Sequence, residues 1–165
     1  MLLWNYGIIS YLADKILSTT YWTLVILTQQ PFTTQNRFGL NLHAQDKHEA
    51  MDKCIEAAFN IRALAETYQR SFTLRRAQIG ISYAMYSAVL NLLQSDSQGR
   101  DDYTEACRFF WSALLEYQKG CGSGLKKPLA LLKSLMLRVA KLAPCITDNT
   151  SDAVPGRLFM VSWLR

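Results

Sequence analysis

Residues 80–93 contain no charged side chain, and this constrains the fold more than any other feature of the chain. A helix that is apolar on nearly every side is stable in water only when other elements cover it. We therefore predict a helix over residues 73–93, starting near Thr73 with Arg75 and Arg76 in its first turn, at the centre of a helical bundle. Its main apolar stripe is predicted to contain Ile79, Tyr83, Tyr86, Leu90 and Leu93, broadened by Ile81, Met85, Val89 and Leu92.

The preceding helix has one apolar stripe and an opposite polar face. Asp46 is predicted to cap its start, with Glu49 three residues later completing a capping box. A turn around Ser71 is predicted to join it to the central helix. Apolar residues recur at intervals of three and four, as on one helix face, at Met51, Cys54, Ala58, Ile61, Ala65 and Tyr68.

Two further apolar regions lie before and after these helices, one in residues 1–30 and one in residues 129–142. The first is predicted to end at Pro31, because proline disfavours helical geometry in the residue before it, and residues 33–45 are predicted to form a loop. The last helix is predicted over residues 129–142, with Pro128 at its first position and Pro144 after its end. Its stripe is Leu132, Leu135 or Met136, Val139 and Leu142.

A fourth helix is predicted to begin at Asp101 or Asp102 and to stop at Lys119 and Gly120. Its apolar stripe is Tyr103, Cys107, Phe110, Leu114 and Tyr117. Together these patterns predict an all-α fold, an irregular bundle of five to six helices around the central apolar helix. We expect one domain over residues 1–144. Residues 145–165 show no clear period and are either a short docking helix or a tail outside the domain.

Composition excludes several classes of protein. With 165 residues, 50% hydrophobic and 19% charged, the chain has the composition of a single globular domain and not of a disordered one. The net charge of +5 is spread without a run of more than two basic residues, which favours a mildly basic surface over a nucleic-acid interface. Residues 1–13 lack the basic start and the small-residue cleavage site of a signal peptide, so we predict no targeting segment. Asp14 and Lys15 separate them from the short apolar run at residues 16–27, so we predict no membrane segment.

The cysteines and histidines of the chain do not form a recognisable catalytic or metal-binding pattern. The cysteines at 54, 107, 121 and 145 are widely spaced and form no CxxC pair, so neither a disulfide framework nor a zinc site is predicted. His43 and His48 lie close together in the sequence, without a nucleophile or metal ligands at suitable spacing. We therefore predict no catalytic residues, no metal ligands and no cofactor in this chain, and no enzymatic activity.

The segment GCGSGLKKP, residues 120–128, is the only candidate binding loop. Backbone amides around Gly122 and Gly124, with Lys126 and Lys127 at the start of the next helix, could hold a phosphate or a carboxylate. The order differs from a nucleotide-binding P-loop, and a helix precedes it where a P-loop has a strand. An inter-helix linker is therefore the favoured interpretation, and the anion site is the alternative.

The two central helices also carry a recognisable series of packing residues. A cysteine, two alanines, an isoleucine and a leucine precede an aromatic residue, a Leu-Arg pair and a long apolar helix. In this order the series resembles the middle homology region of fungal zinc-cluster transcription factors, nearest to the nitrate-assimilation type. The residues that carry the resemblance are Cys54, Ala57, Ala58, Ile61, Leu64, Tyr68, Phe72, Leu74, Arg75, Ala84, Ser87 and Ala88.

The resemblance extends over residues 18–142. Residues 21–32 resemble the family's apolar helix that ends in Arg-Pro-Phe, with Gln30 in place of the arginine, and residues 105–118 resemble a helix that follows a variable loop. The family binds DNA through an N-terminal cluster of six cysteines and two zinc ions, and this sequence does not contain it. The resemblance implies a nuclear transcription regulator, with zinc and DNA held by that cluster alone.

By the same resemblance, this chain would be a regulatory region that contacts other parts of the factor, co-regulator proteins or a small effector. Its apolar content predicts uncovered apolar faces, and such faces lead to aggregation or dimerisation. The alternative is a stand-alone helical module that holds a partner helix or a small ligand between its helices.

Overall fold

The computed structural model describes residues 2–33, 43–95, 101–121 and 125–142. These ranges form five α-helices and one short 3-10 helix, with no strand among them, which confirms the predicted all-α bundle. The α-helices are α1 (Leu2–Thr33), α2 (Ala44–Ser71), α3 (Ile79–Gln94), α4 (Asp101–Cys121) and α5 (Lys126–Leu142), and the 3-10 helix is Leu74–Arg76. Residues 145–165 lie outside the described ranges.

Helix α3 is the centre of the bundle, as its lack of charge predicts. It packs against α1, α2, α4 and α5, whereas α1 packs on α2 and α3, and α4 packs on α3 and the 3-10 helix. Its buried polar side chains are satisfied within the helix, because Asn91 Nδ2 donates to the Ser87 carbonyl oxygen at 2.9 Å and Ser87 Oγ donates to the Ala84 carbonyl oxygen at 3.0 Å. Burial of these polar residues therefore leaves no donor unpaired.

The predicted start and main stripe of the central helix are wrong. The chain forms the 3-10 turn at Leu74–Arg76, passes through extended backbone at Ala77 and Gln78, and only then enters α3. Ile79 is 79% exposed and Tyr83 is 50% exposed. The buried face contains Ile81, Ala84, Met85, Ala88, Val89 and Leu92. Apolar residues occur on every side of α3, so periodicity alone could not identify the face that its neighbours cover.

The predicted stripes of α2 and α4 are confirmed. In α2, Met51 is half-buried and the other five stripe residues are buried, and in α4 all five stripe residues are buried. Both helices carry charged side chains on their outer faces, and a charged side chain leaves water only at a large cost. In each of these helices, only the apolar face can therefore pack against the core.

Several predicted helix ends differ from the structure. Helix α1 continues through Pro31 to Thr33, although the proline removes one backbone hydrogen bond and crowds the carbonyl four residues before it. Thr33 Oγ1 donates to the Gln30 carbonyl oxygen at 2.9 Å in this last turn. Helix α2 begins at Ala44, so Asp46 lies inside its first turn and is not the cap. Its N-cap is His43, whose side chain makes no capping hydrogen bond.

The capping box is absent as well, because the Glu49 carboxylate instead accepts a hydrogen bond from Lys53 Nζ at 2.8 Å. The end of α4 and the start of α5 also differ from the prediction. Helix α4 includes Gly120 and ends at Cys121, while α5 begins at Lys126 and carries Pro128 as its third residue. The first turn of a helix needs no backbone donors at these positions, so Pro128 is compatible with it.

Candidate functional site

Four residues of the predicted packing motif, Ala58, Ile61, Tyr68 and Leu74, lie in one hydrophobic core. Cys54, Ala58, Ile61 and Tyr68 follow one face of α2 and are buried, and Leu64 beside them is half-buried. Leu74 is fully buried, because the 3-10 helix turns its side chain into the core. The side chain of Arg75 is exposed. The apolar residues of the motif therefore contribute to packing, whereas the guanidinium of Arg75 lies in solvent.

Thr73 caps the 3-10 helix that positions Leu74. The Oγ1 atom of Thr73 accepts a hydrogen bond from the backbone N–H of Arg75 at 3.4 Å. Phe72, just before it, packs on Tyr68 with ring centroids 5.2 Å apart. These local contacts fix the path of the chain between α2 and α3, which brings Leu74 under the end of α4.

The candidate anion site is only partly described. Gly122 and Gly124 lie outside the described residues, whereas Lys126 and Lys127 are exposed at the first two positions of α5. Two solvated ammonium groups at a helix start are ordinary surface features. The described residues therefore add no contact that would favour an anion site over a linker.

The two described cysteine side chains are buried thiols. Burial raises the pKa of Cys54 to about 11 and the pKa of Cys107 to about 12. The thiolate is the nucleophile and the metal ligand, so both groups are protonated and unreactive at neutral pH. Within the described residues, no three His, Cys, Asp or Glu side chains lie close enough to hold a metal ion.

An open cleft of about 650 Å³ is lined by residues of α2 and α4. Arg62, on α2, spans its edge: Nε donates to Glu66 Oε1 and an Nη atom donates to Glu105 Oε1, each at 2.8 Å. The guanidinium carbon also lies 5.9 Å from the centre of the Phe109 ring, within cation–π range. The lining residues are Arg62, Glu66, Gln69, Arg70, Glu105, Arg108, Phe109 and Ser112.

Charge is largely balanced inside the cleft. Partial burial would lower the pKa of Arg62, but its hydrogen bonds to Glu66 and Glu105 outweigh that effect and raise it. Gln69 Nε2 donates to Glu116 Oε2 at 3.0 Å, which joins the two helices a second time. The cleft thus presents a mainly polar wall with an exposed arginine, Arg70, at its rim.

Sequence reasoning missed this cleft because its lining residues, on α2 and α4, lie outside the predicted apolar stripes of these helices. The Arg62–Glu66 spacing of four residues was the available signal, since such pairs are neighbours on a helix surface. Glu105 lies 43 residues from Arg62 in the sequence, so no local pattern could identify it as the second partner.

None of the described helices combines the length and the hydropathy that a membrane span requires. Comparison with models of protein families gave no match for this chain. Searches against curated proteins and against solved structures gave no match either.

Proposed function

We propose that this chain is a regulatory region of a transcription factor of the fungal zinc-cluster type, without enzymatic activity. The observation that supports it most directly is the packing of the motif residues. Ala58, Ile61, Tyr68 and Leu74 belong to one hydrophobic core, and Cys54 is buried on the same face of α2, in the order that the resemblance implies. In this proposal the chain acts in the nucleus through contacts with other parts of the factor, with co-regulator proteins or with a small effector.

The proposal also says which part of the factor binds zinc and DNA. Zinc binding and DNA binding belong to a six-cysteine cluster elsewhere in the factor, and this chain contributes no metal ligand to it. The first test is therefore genomic: an in-frame six-cysteine cluster is expected in the coding sequence upstream of this chain. A stop codon in all spliced transcripts between such a cluster and residue 1 would contradict the proposal.

The second test measures regulation directly. The full chain is placed between a heterologous DNA-binding domain and an activation domain, and reporter output is compared with that of the same fusion without the chain. We expect a changed output at equal protein level. Ala58→Asp, in the core of α2, is expected to abolish the effect, whereas Ala63→Asp, exposed on the same helix, is expected to retain it. Equal output from all four fusions would contradict a regulatory role.

A second candidate function is a stand-alone helical binding module. The cleft between α2 and α4 favours it, because its charged and amide side chains are held in place by inter-helix hydrogen bonds. The two functions differ in a measurable way. A stand-alone module requires no upstream cysteine cluster, and substitution of the exposed Arg70 at the rim would weaken its ligand binding without changing reporter output.

A further inference from the structure

The excess of basic residues in this chain comes from one segment. Residues 117–147 contain six Lys or Arg and no Asp or Glu, whereas the rest of the chain contains 12 basic and 13 acidic residues. Helix α5 lies within this segment, and four of the six basic side chains are described on it. A surface that carries charge of one sign attracts partners of the opposite sign. The distribution of charge therefore points to an acidic partner at α5.

Helix α5 is held in the bundle by its apolar side. It packs on α3, and its buried residues are Leu129, Leu132 and Met136. An amphipathic helix binds a membrane through such a row of large apolar side chains. In this chain the row is already covered, so the helix offers a partner only its opposite side.

The opposite side of α5 is a row of two basic residues, a leucine and a serine. We call Lys127, Leu131, Ser134 and Arg138 the outer face of α5, because spacings of four, three and four residues place them on one side of a helix. Lys127 and Arg138 are exposed, and Leu131 is 51% exposed. Ser134 Oγ donates to the Leu131 carbonyl oxygen at 2.7 Å, so covering this face leaves no hydroxyl donor unpaired.

The basic side chains of α5 have no opposite charge beside them within the described structure. The ion pairs among the described residues lie on α2 or join α2 to α4. Lys126 and Lys127 alone would be an ordinary helix start, but Lys133 and Arg138 extend the positive charge over about three turns of the helix. An exposed ion pair contributes up to about 1 kcal/mol, so several pairs formed together can hold a partner weakly.

The leucine within the row decides which kind of polyanion fits. Lys127 and Arg138 lie about 16 Å apart along the helix axis, with Leu131 between them. A nucleic-acid backbone would satisfy the two cations but would place charged phosphates over the leucine side chain. A membrane surface would require more inserted apolar residues than this one leucine. A peptide can combine carboxylates with an apolar side chain, so it matches both parts of the row.

We propose that the outer face of α5 binds an acidic segment of a partner protein, in which carboxylates lie on either side of an apolar residue. The carboxylates pair with Lys127 and Arg138, and the apolar side chain packs on Leu131. The binding does not depend on a role in transcription. Because the contacts are few and exposed, the complex is weak, with a Kd of about 10 to 100 μM, and added salt weakens it further.

Fluorescence anisotropy of a labelled peptide titrated with the full chain tests the face. The probe is a short peptide of glutamate and serine with one leucine between its glutamates. Lys127→Glu and Arg138→Glu are each expected to weaken binding about tenfold, because each turns an attraction into a repulsion. Arg70→Glu is the matched control, since it makes the same change of net charge at a side chain on α2 that is 80% exposed. It is expected to weaken binding less than about twofold.

A second peptide, with serine in place of the leucine, tests the apolar contact. We expect it to bind the unsubstituted chain about fivefold more weakly than the leucine peptide. Leu131→Gln is expected to weaken binding of the leucine peptide by a similar factor and to leave binding of the serine peptide unchanged. Circular dichroism confirms that the variants are folded. Lys127→Gln and Arg138→Gln, with expected losses of about threefold, replace the glutamate variants if these are not.

Four results would overturn the proposal. The first is a leucine peptide that does not bind even at low ionic strength. The second is an equal loss in Arg70→Glu, which would assign the attraction to net charge or to the cleft between α2 and α4. The third is equal binding of the two peptides, which would leave Leu131 without a role. The fourth is tighter binding of a random DNA duplex, or of vesicles containing phosphatidylserine, than of the leucine peptide at physiological ionic strength.

Discussion

The backbone of Gly120, near the end of α4, packs directly against the carbonyl group of Arg75 in the 3-10 helix. A Cβ atom placed on Gly120 would lie 2.5 Å from the Arg75 carbonyl carbon and 2.7 Å from its Cα, and closer still to the carbonyl oxygen. All three neighbours are backbone atoms, which cannot move aside as the end of a side chain can. Glycine at residue 120 thus allows α4 to contact the turn that joins α2 to α3.

Gly120→Ala is expected to lower the free energy of unfolding by about 2 kcal/mol, because the added methyl group forces α4 away from the 3-10 helix. The loss would occur although alanine favours a helix over glycine by about 1 kcal/mol. Gly80→Ala is the matched control, since a Cβ there has no neighbour within 4 Å. It is expected to leave stability equal or slightly higher in urea unfolding followed by circular dichroism, and a loss of similar size in both variants would contradict the contact.

The orientation of α3 can be tested with two isoleucines two residues apart. Ile81 is 4% exposed and Ile79 is 79% exposed. Ile81→Ala is expected to cost about 3 kcal/mol of unfolding free energy, because it leaves a cavity in the core. Ile79→Ala is expected to cost less than about 0.5 kcal/mol. Thermal and urea unfolding of both variants measure the difference, and the opposite order would mean that α3 is rotated from the structure described above.

The bridge across the cleft depends on Arg62. Arg62→Met keeps much of the aliphatic stem but removes two hydrogen bonds to carboxylates, and we expect a loss of about 1 to 2 kcal/mol. Arg70→Met is the control, because Arg70 is 80% exposed and its guanidinium lies 3.9 Å from Glu66. It is expected to change stability by less than about 0.5 kcal/mol. In a double-mutant cycle with Glu105→Gln, additive losses would show that Arg62 and Glu105 do not interact.

The buried thiols predict a loss of stability in alkali. An ordinary thiol has a pKa of 9.0, and burial raises the pKa to about 11 at Cys54 and to about 12 at Cys107. Ionisation therefore favours the unfolded chain, so the contribution of these thiols is complete below pH 9 and declines as the pH rises through the folded values. Urea unfolding at about pH 8 and about pH 10 is expected to show this decline.

A variant without these thiols provides the comparison. Cys54→Ala with Cys107→Ala is expected to be less stable at both pH values, because two small cavities remain in the core. Its stability should nevertheless change less between the two pH values than that of the unsubstituted chain. An equal change in both proteins would assign the alkaline loss to other groups, among them Tyr68 and Tyr86, whose pKa values are also raised by burial.

The faces of α2 and α4 could be predicted because polar residues mark the sides that stay in water. Cys54, Ile61 and Tyr68 in α2 have charged neighbours only off their own stripe, so periodicity identified the buried face. The cleft between these helices could not be predicted in the same way. Its bridge joins Arg62 to Glu105, and only the packing of α4 beside α2 brings these residues within hydrogen-bonding distance.

The sequence alone determined that the chain is helical, that α3 is central and which faces of α2 and α4 are buried, because charged side chains resist burial and their placement is visible in the sequence. The tertiary structure decided what periodicity leaves open. On α3, which is apolar on all sides, Ile81 is buried and Ile79 is exposed. The predicted helix is interrupted by extended backbone at Ala77, and Leu74 before it is buried in the core. The sequence predicts Gly120 as the end of a helix, whereas in the structure it lies within α4 and its backbone contacts Arg75. This contact joins residues that are distant in the sequence, so no local pattern could show it.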